Sequence, residues 1–312
     1  MLTFDKLKLV TKPLYISSIK DNIFSTITRN GEIEGHIYKQ TEPYQLLINV
    51  NYMKNELVIE FTSKILRDDC ISLINIDNIE QCLSNINKLG ICKIDIEDIL
   101  YDSIVVKCDV TKDFEINYQI KDMCAQIRKS IKNYEKWKLK RYNKEGISIE
   151  KVAKTLKYKR RIIIYDKYKE LMKVTNRKFL NSLKSRNRIF DYFKNKIRIE
   201  VNINSMAQMR EMLNIENNSL HNVLSSEANP IFDLLSNIID PKIKSYHSTK
   251  WKDYIKELVL KDNDFDIEKL EAKIRSMIPA TTSVKRTLEP YREFLERLKD
   301  MNNNIDILAL VA

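Results

Sequence analysis

The run "KRRIIIYDKYKEL", Lys159 to Leu171, decides how this chain is read. Three consecutive isoleucines between charged residues favour a short strand over a helix, because β-branched side chains lose rotamer freedom against a helical turn. Alternation along that strand puts Tyr165 with Arg161, Ile163 and Lys167, and leaves Asp166 on the side of Ile162 and Ile164. Tyr165 is then either amphipathic packing at a strand end or a phenol facing solvent beside cations, where it could act as a nucleophile. Asp166 is placed to close a turn or to cap a following helix.

Downstream, "NKIRIEVNINS" (Asn195 to Ser205) alternates in the same way. Ile197, Ile199, Val201 and Ile203 share one face, and Arg198, Glu200, Asn202 and Asn204 the other. The intervening "NRKFLNSLKSRNRIFDYF" predicts a helix, and "GISIEKVAKTL" predicts a hairpin partner for the Tyr165 strand. The same order, β-β-α-β, is read earlier in the chain. "PYQLLINVNYMKNELVIEFTSKIL" predicts two strands joined by a turn at Met53 to Asn55. "INIDNIEQCLSNINKLG" has helical spacing, with Asp77 to cap its start and Gly90 its end, and "SIVVKCDVTKDF" predicts the next strand.

The expected fold class is therefore α+β: two related ferredoxin-like β-β-α-β halves with antiparallel sheet and helices on one face, plus a helical C-terminal region. The expected divisions are 1–113 for the first half, 114–145 for a basic helical bridge, 146–205 for the half carrying Tyr165, and 206–312 for the C-terminal helices, with a loop at Pro279 to Arg286. With only 4 Gly and 6 Pro in 312 residues there is little linker material, so the halves are expected to pack closely.

Charge is unevenly distributed. Between Gln126 and Arg198 there are 25 Lys and Arg against 6 Asp and Glu, an excess larger than the net +11 of the whole chain, so the remainder is acidic. Tyr134, Trp137, Tyr142, Tyr158, Tyr165 and Tyr168 are interleaved with these cations. Cations for phosphates and aromatic faces for unstacked bases are what a nucleic-acid partner requires. Lys136, Trp137, Lys138, Lys140, Arg141, Lys159, Arg160, Arg161 and Arg198 are the expected contacts. The competing reading is a solvated basic face.

Several chemistries lack their residues. The five cysteines form no C-x-x-C and lie near no histidine pair, so neither a zinc site nor a disulfide framework is expected, and reduced thiols fit a cytoplasmic protein. His36, His221 and His247 are isolated, and four glycines supply no phosphate-cradling loop. There is no signal-like segment and no apolar run long enough to span a bilayer, so no membrane partner is expected.

Asp109 from one half and Glu200 from the other stand on strand faces opposite the apolar ones, and Glu170 follows Tyr165. Together they would make a carboxylate cluster suited to Mg²⁺ or Mn²⁺, with Lys and Arg lowering the cost of a tyrosinate. Each residue also has a plainer reading as a surface carboxylate.

"RIIIYDKYKEL" followed by "IRIEVNINS" resembles the Y-D/N-K-x-x-E and R-x-E signatures of phage and plasmid rolling-circle replication initiators. The branch resembled lacks the histidine pair and comprises the replication-initiation factor and phage gene II/X-like group. "VVKCDVTKDF" is similar to that group's hydrophobic-Asp strand, and "NNSLHNVLSSEANPIFDLL" to the helical segment that follows. The resemblance runs from about Pro43 to Ser205 and implies a metal-assisted DNA nicking-closing enzyme. In such proteins a tyrosine joins the 5′ phosphate and leaves a 3′ hydroxyl. Carried onto this chain, it implies Tyr165 as nucleophile with Tyr168 as competitor or second nucleophile, Lys167 as the motif lysine, and Asp109, Glu170 and Glu200 as the acids. The implied partners are origin DNA, double- and single-stranded, with a host helicase and polymerase. A mobilisation relaxase using the same chemistry, a non-catalytic DNA-binding regulator, and a single-strand or RNA-binding protein are the rival readings.

Overall fold

Apolar alternation along the strands builds one face of a large antiparallel sheet. In the computed structural model, which describes residues 1–132, 135–143, 146–155, 158–239, 250–263, 266–277, 283–302 and 307–312, ten strands form that sheet. They are β1 (Phe4–Thr11), β3 (Ser25–Arg29), β4 (Glu32–Gln40), β5 (Leu46–Asn51), β6 (Glu56–Thr62), β8 (Ile104–Glu115), β9 (Trp137–Tyr142), β10 (Gly146–Lys151), β11 (Arg161–Asp166) and β12 (Lys196–Ile203). Their order is β3-β4-β5-β6-β1-β8-β12-β11-β10-β9. β2 (Ile16–Ile19) and β7 (Cys92–Ile94) make a separate pair.

The α+β class and the antiparallel sheet agree with the sequence reading, as do the β5–β6 and β10–β11 hairpins. In the β5–β6–β1–β8 registers, Ile48 faces Ile59, Leu9 faces Ile59, and Leu7 faces both Phe61 and Cys108. In the other half Val110 faces Val201, Ile199 faces Ile164, and Ile164 faces Ile147. All of these are almost fully buried, each contributing about 1.5–3 kcal/mol where a large aliphatic or aromatic side chain leaves water.

Helices α3 (Ile120–Lys129), α7 (Met206–Leu213) and α9 (Pro230–Ile238) lie against β10, β8 and β12 and bury Met123, Ile127, Met209, Leu213, Leu234 and Ile238 in the same core. α8 (Leu220–Ser225) joins them through β8 and α2 (Ile96–Asp102), and α13 (Ile307–Val311) through α9. Helices α10 (Trp251–Lys261), α11 (Ile267–Arg275) and α12 (Lys285–Asn302) build a second, small core from Leu260, Leu270, Val284, Leu288 and Phe294. Among the described residues no helix is long and apolar enough to cross a membrane.

Three sequence expectations are corrected, and one region had none. The stretch 114–145 is not mostly helical: α3 ends at Lys129, and Trp137–Tyr142 is the edge strand β9, paired with β10 from Lys151↔Trp137 to Gly146↔Tyr142. The single helix expected before β12 is two, α5 (Arg177–Asn181) and α6 (Arg186–Phe193). Asn78, not Asp77, stands at the start of α1 (Ile79–Lys88), while Gly90 follows its end at φ +65°, as a left-handed terminating residue should. The N-terminal strands β1 to β4 were not read from the sequence at all, and β1 separates β6 from β8. Tyr134, His247 and residues 279–282 of the expected loop lie outside the described residues.

Candidate active site

Tyr165 comes last but one on β11, on the sheet face opposite the apolar core, as alternation required. Its neighbours across the ladders are Arg198 on β12 and, one strand further, Asp113 on β8. Glu200 faces Thr111, and Asn202 faces Asp109. The sheet thereby lays Arg198, Glu200 and Asn202 beside Asp113, Thr111 and Asp109, rung by rung.

This face is not open. The 3₁₀ segment Ser63–Ser72, the five-residue α4 (Lys167–Leu171) and α6 cover it, as the contacts of Ser63, Tyr192 and Phe193 show. Ser63 Oγ donates to Asp5 Oδ1 at 2.7 Å, Tyr192 Oη donates to Asp113 Oδ2 at 3.4 Å, and the Arg198 guanidinium lies 5.2 Å from the Phe193 ring centre. Helices thus pack on both faces at this end of the sheet. The expected solvated carboxylates and solvent-facing phenol are instead buried: Tyr165 is 3% exposed, Glu200 7% and Arg198 1%.

Burial makes an unpaired polar group costly, and most groups here find a partner, Asn202 Oδ1 being an exception. Tyr165 Oη donates to Glu200 Oε1 at 2.5 Å. Arg198 grips Asp113 with two parallel bonds, Nε to Oδ1 at 2.7 Å and Nη2 to Oδ2 at 2.9 Å, and reaches Asp5 Oδ1 with Nη1 at 3.0 Å. Asp5 arrives there because β1 is irregular between Phe4 and Lys6, where the pairing with β8 slips. At the end of β11, Asp166 accepts from the Lys169 amide at 2.9 Å and starts α4, which is the capping role read from the sequence. That turn folds Lys167 back so that its Nζ lies 5.7 Å from the Tyr165 ring centre and 2.8 Å from Glu170 Oε2. Asn176 Nδ2 donates to Glu170 Oε1 at 3.0 Å, and Lys64 Nζ donates to Asn176 Oδ1 at 2.7 Å.

The electrostatics follow from burial and these pairs. Burial pushes the Tyr165 phenol well above its usual value, and the Glu200 carboxylate adds to this. Burial, with Asp5 nearby, raises Glu200 to about 7 against the pull of Lys167 and Arg198. Burial would raise Glu170 too, but Lys167, Asn176 and Lys64 together overcome it and hold Glu170 at about 2. Asp5 is likewise lowered, because Arg198 and Lys167 overcome its burial. Lys64 is lowered by burial first and by Lys167 second. The cluster therefore holds three cations, Lys64, Lys167 and Arg198, against Asp5, Asp113, Glu170 and a Glu200 that titrates near neutrality.

The implied Mg²⁺ or Mn²⁺ does not fit this donor set. Glu170 is committed to Lys167 and Asn176, Glu200 to Tyr165, and Asp109 to Asn202, whose Nδ2 donates to it at 2.8 Å. Asp109 is separated from Glu200 by one rung of the ladder, and burial raises its carboxyl. Lys167 and Arg198 also hold the Glu170 and Asp5 carboxylates charged without an added ion.

Tyr165, Lys167, Glu170, Glu200 and Arg198 are thus brought together, and Asp109 stands beside them on Asn202. Tyr168 is separate: it is half-buried with its ring edge-on to Phe190, 5.5 Å between centres. Of the expected DNA contacts, Arg198 is sealed inside, and Trp137 is buried at 7% exposure. Lys140 and Arg161 pair with Glu150, and Arg160 with Glu211. Lys136, Lys138, Arg141 and Lys159 are exposed. Sequence reasoning missed Asp5, Lys64 and Asp113. Asp113 was legible, since it alternates with Asp109 and Thr111 in the quoted strand; Asp5 and Lys64 carried no local signal.

A cavity of about 340 Å³ lined by Asn143, Gly146, Tyr165, Glu170 and Lys173 leads to the tyrosine. Gly146 is required there. A Cβ at this position would lie 2.6 Å from Ile164 O and 2.8 Å from Tyr165 Cβ. Tyr142, opposite Gly146, packs its ring 5.1 Å from that of Tyr165. No family model matches this chain, and no curated protein matches it in sequence.

Proposed function

We propose that this protein nicks and rejoins DNA through Tyr165, as an initiator of rolling-circle replication of a phage or plasmid. The observation that carries the reading is the 2.5 Å hydrogen bond from Tyr165 Oη to Glu200, a carboxylate raised to about 7 in a cation-rich cluster. A phenol made this hard to ionise by burial needs a base in contact, and a base titrating near neutrality suits that task. In the proposed step the Tyr165 proton passes to Glu200 and the phenolate oxygen attacks the phosphorus. The bond from phosphorus to O3′ breaks, and O3′ takes a proton from solvent. The product is a 5′-phosphotyrosine and a free 3′ hydroxyl. Rejoining is the reverse attack. Lys167, 5.7 Å from the ring centre, stabilises the phenolate.

The two-half organisation belongs to the same proposal. Its support is the similar order of β10-β11-α5/α6-β12 and β5-β6-α1-β8, the latter with β7 and α2 inserted before β8 and β1 between β6 and β8, and the side-by-side placing of β8 and β12. Origin DNA, a host helicase and polymerase, and a cytoplasmic site of action are part of this reading, as is the use of the same chemistry on a transfer origin by a mobilisation relaxase.

One observation favours a second reading. At 3% exposure Tyr165 is packed like a structural residue, which suits a non-catalytic DNA-binding regulator. The deciding experiment is relaxation of supercoiled plasmid carrying the DNA that flanks the gene, in Mg²⁺ or Mn²⁺ and, in parallel, in EDTA. Relaxation with a covalent protein–DNA adduct, lost in Tyr165→Phe and kept in Tyr168→Phe, is the expected result. Binding without nicking by the wild-type protein would leave the regulator.

A further inference from the structure

Beside the tyrosine cavity lies a larger groove of about 730 Å³, at the end of β11 and β12 where α3 begins. Its lining combines three aromatic rings, Tyr118, Tyr168 and Phe190, with four lysines, Lys121, Lys169, Lys194 and Lys196. Two carboxylates, Asp166 and Asp191, also line it. Asp166 caps α4 and pairs with Lys169 Nζ at 3.6 Å, so that pair is neutral and the positive balance is Lys121, Lys194 and Lys196 against Asp191. Lys121 and Lys194 are exposed, while Tyr118, Tyr168 and Phe190 are each half-buried. The Lys196 ammonium sits 3.6 Å from the Tyr192 ring centre, which fixes one cation at the groove edge. The start of α3, Gln119 to Lys121, also lines the groove, with Asp122 in the same first turn.

We infer that this groove binds a single-stranded segment of nucleic acid, with a base stacked on Tyr168 and phosphates held by Lys121 and Lys194. Rings and cations in one concavity fit a polyanion whose π-faces are exposed; a duplex keeps its bases stacked and gains nothing from the aromatic wall. Asp166 and Lys169 line both this groove and the Tyr165 cavity, so a strand lying in the groove has its next phosphate at the mouth of that cavity. This last step rests on the nicking reading; the binding itself does not. Tyr168, the second tyrosine of "YDKYKE", is then a stacking residue.

The test is fluorescence anisotropy of a labelled oligo(dT) with the full chain, titrated at several salt concentrations. Lys121→Glu with Lys194→Glu should lower affinity at least tenfold and flatten the salt dependence by about 1.4 in log–log slope, the share of two single-strand phosphate contacts. Tyr168→Ala should weaken binding roughly 5- to 100-fold and Tyr168→Phe should retain it, because the ring and not the hydroxyl stacks. Lys39→Glu with Lys54→Glu, exposed residues on β4 and in the β5–β6 turn, should change binding less than twofold. Wild-type affinity in the Lys121/Lys194 variant, equal loss in the Lys39/Lys54 variant, or failure of the wild-type chain to bind oligo(dT) would each overturn the groove. Groove-dependent binding with no tyrosine adduct would keep the groove and refute the nicking reading alone. An adduct formed by groove variants of unchanged affinity would do the reverse.

Discussion

Replacing Glu200 by Gln should stabilise the protein at neutral and alkaline pH while abolishing nicking. Glu200 is 7% exposed, and its carboxyl is raised from the ordinary 4.5 to about 7 by burial and by Asp5, against Lys167, Arg198 and the Tyr165 hydroxyl. An acid whose folded pKa lies above its unfolded one binds an extra proton in the native state between the two values. The penalty for burying this carboxyl is therefore absent below about pH 4.5, grows as the pH rises to about 7, and is constant above that. At about 1.4 kcal/mol per pH unit of displacement the full penalty is about 3 kcal/mol, most of which the uncharged variant should recover. Gln keeps an oxygen for the Tyr165 hydroxyl and carries no charge. Urea unfolding followed by the emission of buried Trp137, in a Trp251→Phe background because Trp251 is 72% exposed, reads the difference. Wild type and variant should differ by under about 1 kcal/mol at pH 5 and by about 3 kcal/mol at pH 8, with the variant more stable. A constant difference at every pH, or a wild-type stability that rises from pH 5 to 8 relative to the variant, would refute the assignment of the buried charge to Glu200.

Asp113→Ala leaves the Arg198 guanidinium inside with Asp5 as its remaining bonded carboxylate, and should cost about 3–5 kcal/mol in chemical denaturation; Glu42→Ala, whose pair with Lys178 is exposed, should cost under about 1 kcal/mol. Gly146→Ala drives a methyl group to 2.6 Å from Ile164 O and should lower stability by about 1–3 kcal/mol by displacing β10 from β11, visible as earlier loss of Trp137 emission. All five cysteines are buried, and burial pushes Cys70 and Cys92 to about 11 and Cys82 to about 12. A thiol reagent at pH 8 should therefore label the native protein slowly and the urea-unfolded protein at once, and rapid native labelling would contradict this packing.

The sequence by itself determined what is local. Period-two alternation assigned β5, β6, β8, β11 and β12 and placed Tyr165, Glu200 and Arg198 on one face, because a pleated strand leaves no other choice. It also assigned the Asp166 cap, which needs only a short polar side chain three residues before an amide. It misread Trp137–Tyr142 as helix because Lys and Arg have good helical propensity, and what made this segment a strand was the unpaired edge of β10 beside it. The tertiary structure alone decided whether the polar face met water. Strand alternation says which side a residue takes but not what covers that side, and the cover comes from Ser63–Ser72, far away in the chain, and from α4 to α6, which fold back over the two strands they connect. For the same reason Asp5 could not be found from its surroundings in sequence. It reaches Arg198 across 193 residues, through a slip in one strand pairing, to satisfy a charge that burial would otherwise leave alone.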